Sequence, residues 1–179
     1  MTLRLFLAID LPDDLRSQLA VQQFLMPLPR REPVENLHLT LVFLGEVPEP
    51  QAQDLHDALS AFHAPPMTPT VEGFGLFGAD RARLAYAALR PDPALMTLQT
   101  RLTALTRRAG IQPEARRYIP HITLGRFPPQ RGADALRLES AVALTAFRAE
   151  FQARDITLFR SDRSPRGSVY TALAAYPLA

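Results

Sequence analysis

The feature that most restricts what this chain can become is a four-residue pattern that occurs twice. His38-Leu39-Thr40-Leu41 and His121-Ile122-Thr123-Leu124 lie 83 residues apart in a chain of 179. Each copy follows a proline-containing loop, and each falls in a run with strand character. Two equivalent lobes facing each other across a pseudo-twofold axis account for a repeat at half the chain length. Side chains on a strand alternate between faces. His38 and Thr40 therefore share one face, while Leu39 and Leu41 take the other. The same holds for His121 and Thr123 against Ile122 and Leu124. One face packs into a core. The other presents an imidazole and a hydroxyl about 7 Å apart along the strand.

That pairing suits proton chemistry at phosphorus. An imidazole exchanges a proton near neutral pH, and a hydroxyl can bond a phosphate oxygen. Two such strands across a cleft place one histidine to take a proton from an attacking oxygen and the other to give one to the leaving oxygen. No metal is needed for such a displacement. A single His-x-Thr-Leu carries little weight, because a lone strand histidine is usually structural. Two copies in matching contexts, in a chain with only four histidines, carry much more. His56 falls on the polar part of a predicted helix and His63 opens a proline-rich loop, so both are expected to face solvent.

Composition removes several alternatives. The chain has no cysteine and no lysine, and all twenty basic side chains are arginine. Disulfides, thiolate metal sites and cysteine nucleophiles are excluded, as are Schiff bases, lysyl-nucleotide intermediates and a phosphate-loop lysine. Arginine keeps its charge and grips phosphate with a two-pronged fork. A net charge of +2 permits a nucleic-acid ligand without demanding one. The apolar run at 3–9 is short, interrupted by Arg4 and followed by Asp10, and no run approaches the roughly 20 residues of a membrane span. The expectation is a cytoplasmic protein with no membrane contact.

Strands are predicted at 3–9, 36–44, 70–77, 83–89, 118–127, 147–159 and 168–176, with a hairpin turn at 78–80 and a loop at 161–167. Helices are predicted from Pro12 to about Met26, over 49–62 and over 93–109, with weaker helical propensity at 135–144. Asp92 is placed to cap the third helix and Gly110 to stop it. Strands and helices mix without regular βαβ alternation, which points to an α+β fold with mainly antiparallel sheets. Nothing marks a domain linker, so residues 1–179 are expected to form one domain of two lobes.

The stretches Asn36-Leu37-His38-Leu39-Thr40-Leu41-Val42-Phe43-Leu44-Gly45 and Pro120-His121-Ile122-Thr123-Leu124-Gly125-Arg126, with the opening Arg4-Leu5-Phe6-Leu7-Ala8-Ile9-Asp10-Leu11-Pro12, resemble the 2H phosphoesterases. Within them the likeness is to the RNA 2′,3′-cyclic phosphodiesterases also called 2′-5′ RNA ligases, and it covers essentially the whole chain. The resemblance implies a bilobal fold of two mainly antiparallel sheets, helices outside and a central cleft. It also implies metal-independent, cofactor-free opening of a 2′,3′-cyclic phosphate at an RNA end to a 2′-phosphate. ATP-independent joining to a 5′-hydroxyl is implied as a further capability. Carried over, His38 is the proton donor and His121 the acceptor, with Thr40 and Thr123 on the phosphate oxygens. Arg126 is a further candidate. In a regular strand it falls opposite His121, and only a bulge or break at Gly125 turns it to the cleft. Tyr118 and Phe43 are candidates for stacking on a base, with their faces dependent on similar irregularities. Arg116, Arg117, Arg160, Arg163 and Arg166 could follow an RNA backbone or simply be solvated.

Two other readings compete. The cleft could bind a nucleotide phosphate or RNA end without turnover. A metal hydrolase using His38, His121 and Asp10 is the third reading, and no local spacing resembles a metal motif. The expected partner is RNA ending in a 2′,3′-cyclic phosphate, and the expected state is a monomer.

Overall fold

The computed structural model describes residues 1–78, 81–114, 117–165 and 167–179. Its elements run β1 (Thr2–Asp10), α1 (Asp13–Leu25), a 3-10 turn (Val34–Asn36), β2 (His38–Pro48), α2 (Glu49–Ser60), β3 (Thr70–Phe77) and β4 (Leu84–Leu89). They continue with α3 (Pro93–Arg108), β5 (His121–Arg126), α4 (Gly132–Leu144), β6 (Arg148–Glu150), β7 (Asp155–Ser164) and β8 (Gly167–Pro177).

The strands form one antiparallel sheet in the order β6-β3-β4-β5-β2-β1-β7-β8. The order reads the same outward from its centre: β5, β4, β3, β6 on one side and β2, β1, β7, β8 on the other. The two halves expected as separate sheets are thus joined. The join is slight among the described residues, a single register pair of Leu39 opposite Ile122. Both side chains are fully buried, so the motifs' apolar positions meet at the seam and make the halves continuous.

Leu39 and Ile122 belong to the same core as Leu15 and Leu19 of α1, Leu55 and Leu59 of α2, Leu95, Leu98 and Leu102 of α3, and Leu138 and Val142 of α4. The helices therefore cover the face to which Leu39 and Ile122 point. The face carrying His38, Thr40, His121 and Thr123 is the other one. Asp92 caps α3 as expected, its Oδ1 accepting from the N–H groups of Ala94 and Leu95 at 2.9 and 3.0 Å. Gly110 ends the helix region with φ +76°, where a residue without Cβ is unstrained.

Three boundaries differ from expectation. The run 147–159 is not one strand. It divides into β6, on the edge beside β3, and β7, beside β1. Between them Phe151 and Ala153 stay buried and donate to Pro69 and Met67 carbonyls, so the apolar pattern never breaks although the chain changes lobes. Residues 161–164 are strand, with Ser161 to Ser164 paired to Tyr170 through Gly167. Their polarity reflects an exposed hairpin end, not a loop. β5 starts at His121 and not at 118, because Pro120 has no N–H for a ladder. β3 and β4 pair antiparallel as a hairpin requires, but residues 79 and 80 of its turn lie outside the described residues.

Candidate active site

The pair Leu39–Ile122 sets the geometry of the site. In the antiparallel register it defines, His38 faces Thr123 and Thr40 faces His121. His38 and His121 are then diagonal neighbours, with a typical separation of roughly 7–8 Å. By strand alternation all four side chains sit on the face opposite the one that Leu39 and Ile122 turn to the core.

Each imidazole is held in the same way. His38 Nδ1 lies 2.6 Å from the Asn36 carbonyl oxygen, and His121 Nδ1 lies 2.7 Å from that of Ile119. A carbonyl only accepts, so Nδ1 carries the hydrogen in both rings. The neutral ring then has its lone pair on Nε2. For His38 that nitrogen is 2.9 Å from Thr40 Oγ1, which donates to it. The backbone thus fixes the tautomer that leaves Nε2 available for a proton.

The two environments differ. His38 sits among Phe6, Tyr170 and Phe159, with ring centroids at 4.8, 5.2 and 6.1 Å. Burial in this cage lowers its pKa from 6.5 to about 4. The Asn36 carbonyl and the Asp10 carboxylate pull upward, while the charges of Arg126 and His121 push down. His121 is half-buried and meets the edges of Phe77 and Tyr86 at 5.1 and 5.5 Å. None of the five aromatic residues of these two cages was apparent from the sequence. Their faces follow from strand pairing: Phe6 is opposite Phe43, and Tyr86 is opposite Thr123. Only knowledge of those neighbours would have revealed them.

Arg126 reaches the cleft side. The β4–β5 register jumps from Tyr86–Thr123 to Ala85–Gly125, skipping Leu124. Leu124 and Gly125 are consecutively buried, and this bulge restores Arg126 to the face of His121. Arg126 Nη2 lies 3.5 Å from Thr123 Oγ1. The carbonyl of the bulged Leu124 is satisfied by the Glu32 N–H at 2.8 Å and by Gln23 Nε2 at 2.7 Å. Gly125 lies under the 27–33 connection, where a Cβ would collide with the Arg30 carbonyl oxygen. A matching irregularity follows Thr40. The β1–β2 register skips Leu41, so Phe43 returns to the cleft face, where the Arg4 guanidinium stacks 5.0 Å above its ring. Phe43 and Arg126 hold equivalent places in the two halves.

Thr40, Phe43, Tyr118, His121 and Arg126 line a cavity of about 740 Å³ that continues past the seam to the Gln99 and Arg107 side of α3. His38 and Thr123 are not in its lining. Tyr118 donates its hydroxyl to the Thr40 carbonyl at 3.0 Å, and burial raises its pKa. It ties the segment before β5 to β2. Arg117 lines the same cavity, Arg160 is paired with Asp162 at 2.8 Å, and Arg163 is exposed. Arg116 and Arg166 lie outside the described residues. His63 is exposed as expected. His56 is not fully solvent-facing: it is half-buried, with Nδ1 2.9 Å from the Tyr176 hydroxyl. Asp10 is bound by Arg16 at 2.6 Å. Among the described residues, no group of three or more His, Cys, Asp or Glu side chains is placed to hold a metal ion. No described helix is long and apolar enough to cross a membrane.

Fold and site together define a bilobal α+β protein with paired His-x-Thr strands at a pseudo-twofold seam. The chain belongs to the 2′-5′ RNA ligase superfamily, whose model matches residues 11–165. It is 29% identical to the RNA 2′,3′-cyclic phosphodiesterase of Methanothermobacter thermautotrophicus, over 99% of this chain and 100% of that one. It is 32% identical to the protein of the same name from Thermus thermophilus, over 98% and 90% of the two chains. Among solved structures, Escherichia coli LigT complexed with 3′-AMP superposes with a TM-score of 0.84 at 27% identity, covering 100% and 99% of the chains. The MHV ns2 PDE domain shares the fold at 12% identity and a TM-score of 0.58.

Proposed function

We propose that this chain hydrolyses RNA 2′,3′-cyclic phosphate ends to 2′-phosphates, with His38 and His121 as general acid and base. The observation that carries the reading is the matched locking of both imidazoles, each with Nδ1–H on the carbonyl two residues back and Nε2 left for proton transfer. Related proteins named RNA 2′,3′-cyclic phosphodiesterase support the choice of substrate.

In this reading His121 Nε2 takes a proton from water as its oxygen attacks phosphorus. The bond to the 3′ oxygen breaks, and His38 Nε2 gives that oxygen a proton. The product carries a 2′-phosphate and a 3′-hydroxyl. Thr40, Thr123 and Arg126 hold the phosphate oxygens, and Arg126 offsets the charge growing there. Phe43 offers its ring to a base, and Tyr118 fixes the wall beside it. A 5′-hydroxyl in place of water gives a 2′-5′ linkage without ATP.

His38 is uncharged in the resting site, yet an acid needs a proton. The substrate supplies the reason to acquire one. A phosphate monoanion about 4 Å away stabilises the imidazolium by about 4 kcal/mol at an effective dielectric of 20. The test is an oligoribonucleotide with a 2′,3′-cyclic phosphate end, incubated with and without a chelator, its products weighed by mass spectrometry. A 2′-phosphate is expected in both. His38→Ala and His121→Ala should each lower turnover roughly 10²–10⁴-fold. Full activity in either variant refutes the proposal.

A further inference from the structure

We propose that Arg16 is a positioning residue for His38: its guanidinium clamps the turn before β2 in the conformation that lets the Asn36 carbonyl capture His38 Nδ1–H. Arg16 comes from α1 and touches none of the reacting groups. Its Nη1 lies 3.1 Å from the Val34 carbonyl oxygen, 3.3 Å from that of Glu35 and 2.9 Å from that of Leu37. Its Nη2 lies 2.6 Å from Asp10 Oδ1 and 3.1 Å from the Leu11 carbonyl oxygen. The side chain is only 15% exposed.

These acceptors belong to two segments that must stay together. One is the 3-10 turn Val34–Asn36 with Leu37. The other is the end of β1, where Asp10 is paired with His38 itself. The Val34 carbonyl already accepts from the Leu37 N–H at 3.2 Å, and one planar fork reaches it together with the Glu35 and Leu37 carbonyls. Asn36 sits in the middle of the clamped turn. Its side chain is tied on the other side, donating to the Ser168 carbonyl at 2.8 Å and to Glu32 Oε1 at 3.2 Å. With both sides held, its carbonyl oxygen has one direction left, toward His38 Nδ1.

The second motif reaches the same end differently. His121 is preceded by Pro120, whose ring fixes φ covalently and whose carbonyl accepts from the Leu89 N–H at 3.2 Å. His38 is preceded by Leu37, which has no such restraint. Arg16 supplies by hydrogen bonding what proline supplies by its ring. Without it, the His38 ring can shed the Asn36 bond, mix its two tautomers and turn Nε2 away from the direction in which it gives its proton.

The test compares wild type with Arg16→Met, Arg16→Lys and Asp10→Asn. Long-range ¹H–¹⁵N spectra at pH 7.5 report which His38 nitrogen bears the hydrogen. Wild type is expected to show Nδ1–H alone. Arg16→Met should show averaged nitrogens, with kcat lowered about 10–100-fold and KM within twofold. Arg16→Lys keeps the charge beside Asp10 but loses the fork, and should show the same defect in milder form. If Arg16→Met fails to fold, Arg16→Lys decides. Asp10→Asn removes one acceptor and leaves the carbonyl clamp, so His38 should keep its tautomer. His121 signals should stay unchanged throughout. A folded Arg16→Met or Arg16→Lys with wild-type His38 signals and kcat overturns the proposal. So does an Asp10→Asn variant that reproduces the Arg16→Met spectrum, since the carboxylate would then be the route. The kcat arm rests on the proposed phosphodiesterase reading. Absence of wild-type turnover defeats that reading alone, while the spectra still judge Arg16.

Discussion

Binding of an anionic phosphate ester should charge His38. In the free protein, burial among Phe6, Tyr170 and Phe159 holds its pKa at about 4. At pH 7 only about one molecule in a thousand then carries the proton. A phosphate monoanion about 4 Å from the ring contributes about 4 kcal/mol at an effective dielectric of 20, equivalent to about three pKa units. The Arg126 charge already counts among the causes of the low free value. Binding should therefore raise the His38 value well toward the neutral range, so that a substantial fraction is protonated at neutral pH. The assay is NMR titration of the His38 ring nitrogens, alone and saturated with adenosine 2′-monophosphate, which carries the product's phosphate. Calorimetry in two buffers of different ionisation enthalpy should show proton uptake on binding. The kcat profile, which reports the complex, should lose activity with rising pH at a higher pH than the kcat/KM profile, which reports the free protein. A free His38 titrating near 6.5, or one whose midpoint ignores the nucleotide, refutes the reasoning.

Further outcomes follow from the same geometry. Acid should destabilise the fold through His38. Its folded value of about 4 lies below the ordinary 6.5, so the unfolded chain binds the proton more readily. This contribution is complete above pH 6.5 and declines toward pH 4 by about 3 kcal/mol. Urea unfolding at pH 7.5 and 4.5 should show a drop that His38→Gln reduces, and an equal drop in that variant counts against it. Gly125→Ala forces a methyl against the Arg30 carbonyl. It should cost about 1–3 kcal/mol and raise KM as Arg126 leaves the cleft. A wild-type urea midpoint and KM would mean that the 27–33 connection does not constrain the bulge. Arg126→Ala should lower kcat by roughly 10²–10³ in steady-state assays, and a change confined to KM would make it a binding group only. Leu39→Ala should cost about 2–5 kcal/mol in urea unfolding, because that side chain closes the seam between halves.

Much of the site is local, and local structure is what a sequence encodes directly. The alternation His-x-Thr by itself determined that imidazole and hydroxyl share a face, because the pleat has period two whatever surrounds it. Repetition at half-chain spacing indicated two lobes, and the bare Asp92 and Gly110 signals marked the ends of α3. Composition alone ruled out lysine and cysteine chemistry. Three matters were decided only by tertiary structure. The first is that the halves form one sheet, since Leu39 and Ile122 must meet across 83 residues. The second is the return of Arg126 and Phe43 to the cleft, which needs a bulge one residue after each motif threonine. The sequence admitted that bulge at Gly125 but could not require it, because the Arg30 backbone that leaves no room for a Cβ there comes from a distant part of the chain. The third is the difference between two otherwise equivalent histidines. The aromatic cage and the Arg16 clamp come from β1, β7, β8 and α1, far from the motif in the chain. A pKa responds to what surrounds a group in space, and no four-residue pattern carries that information.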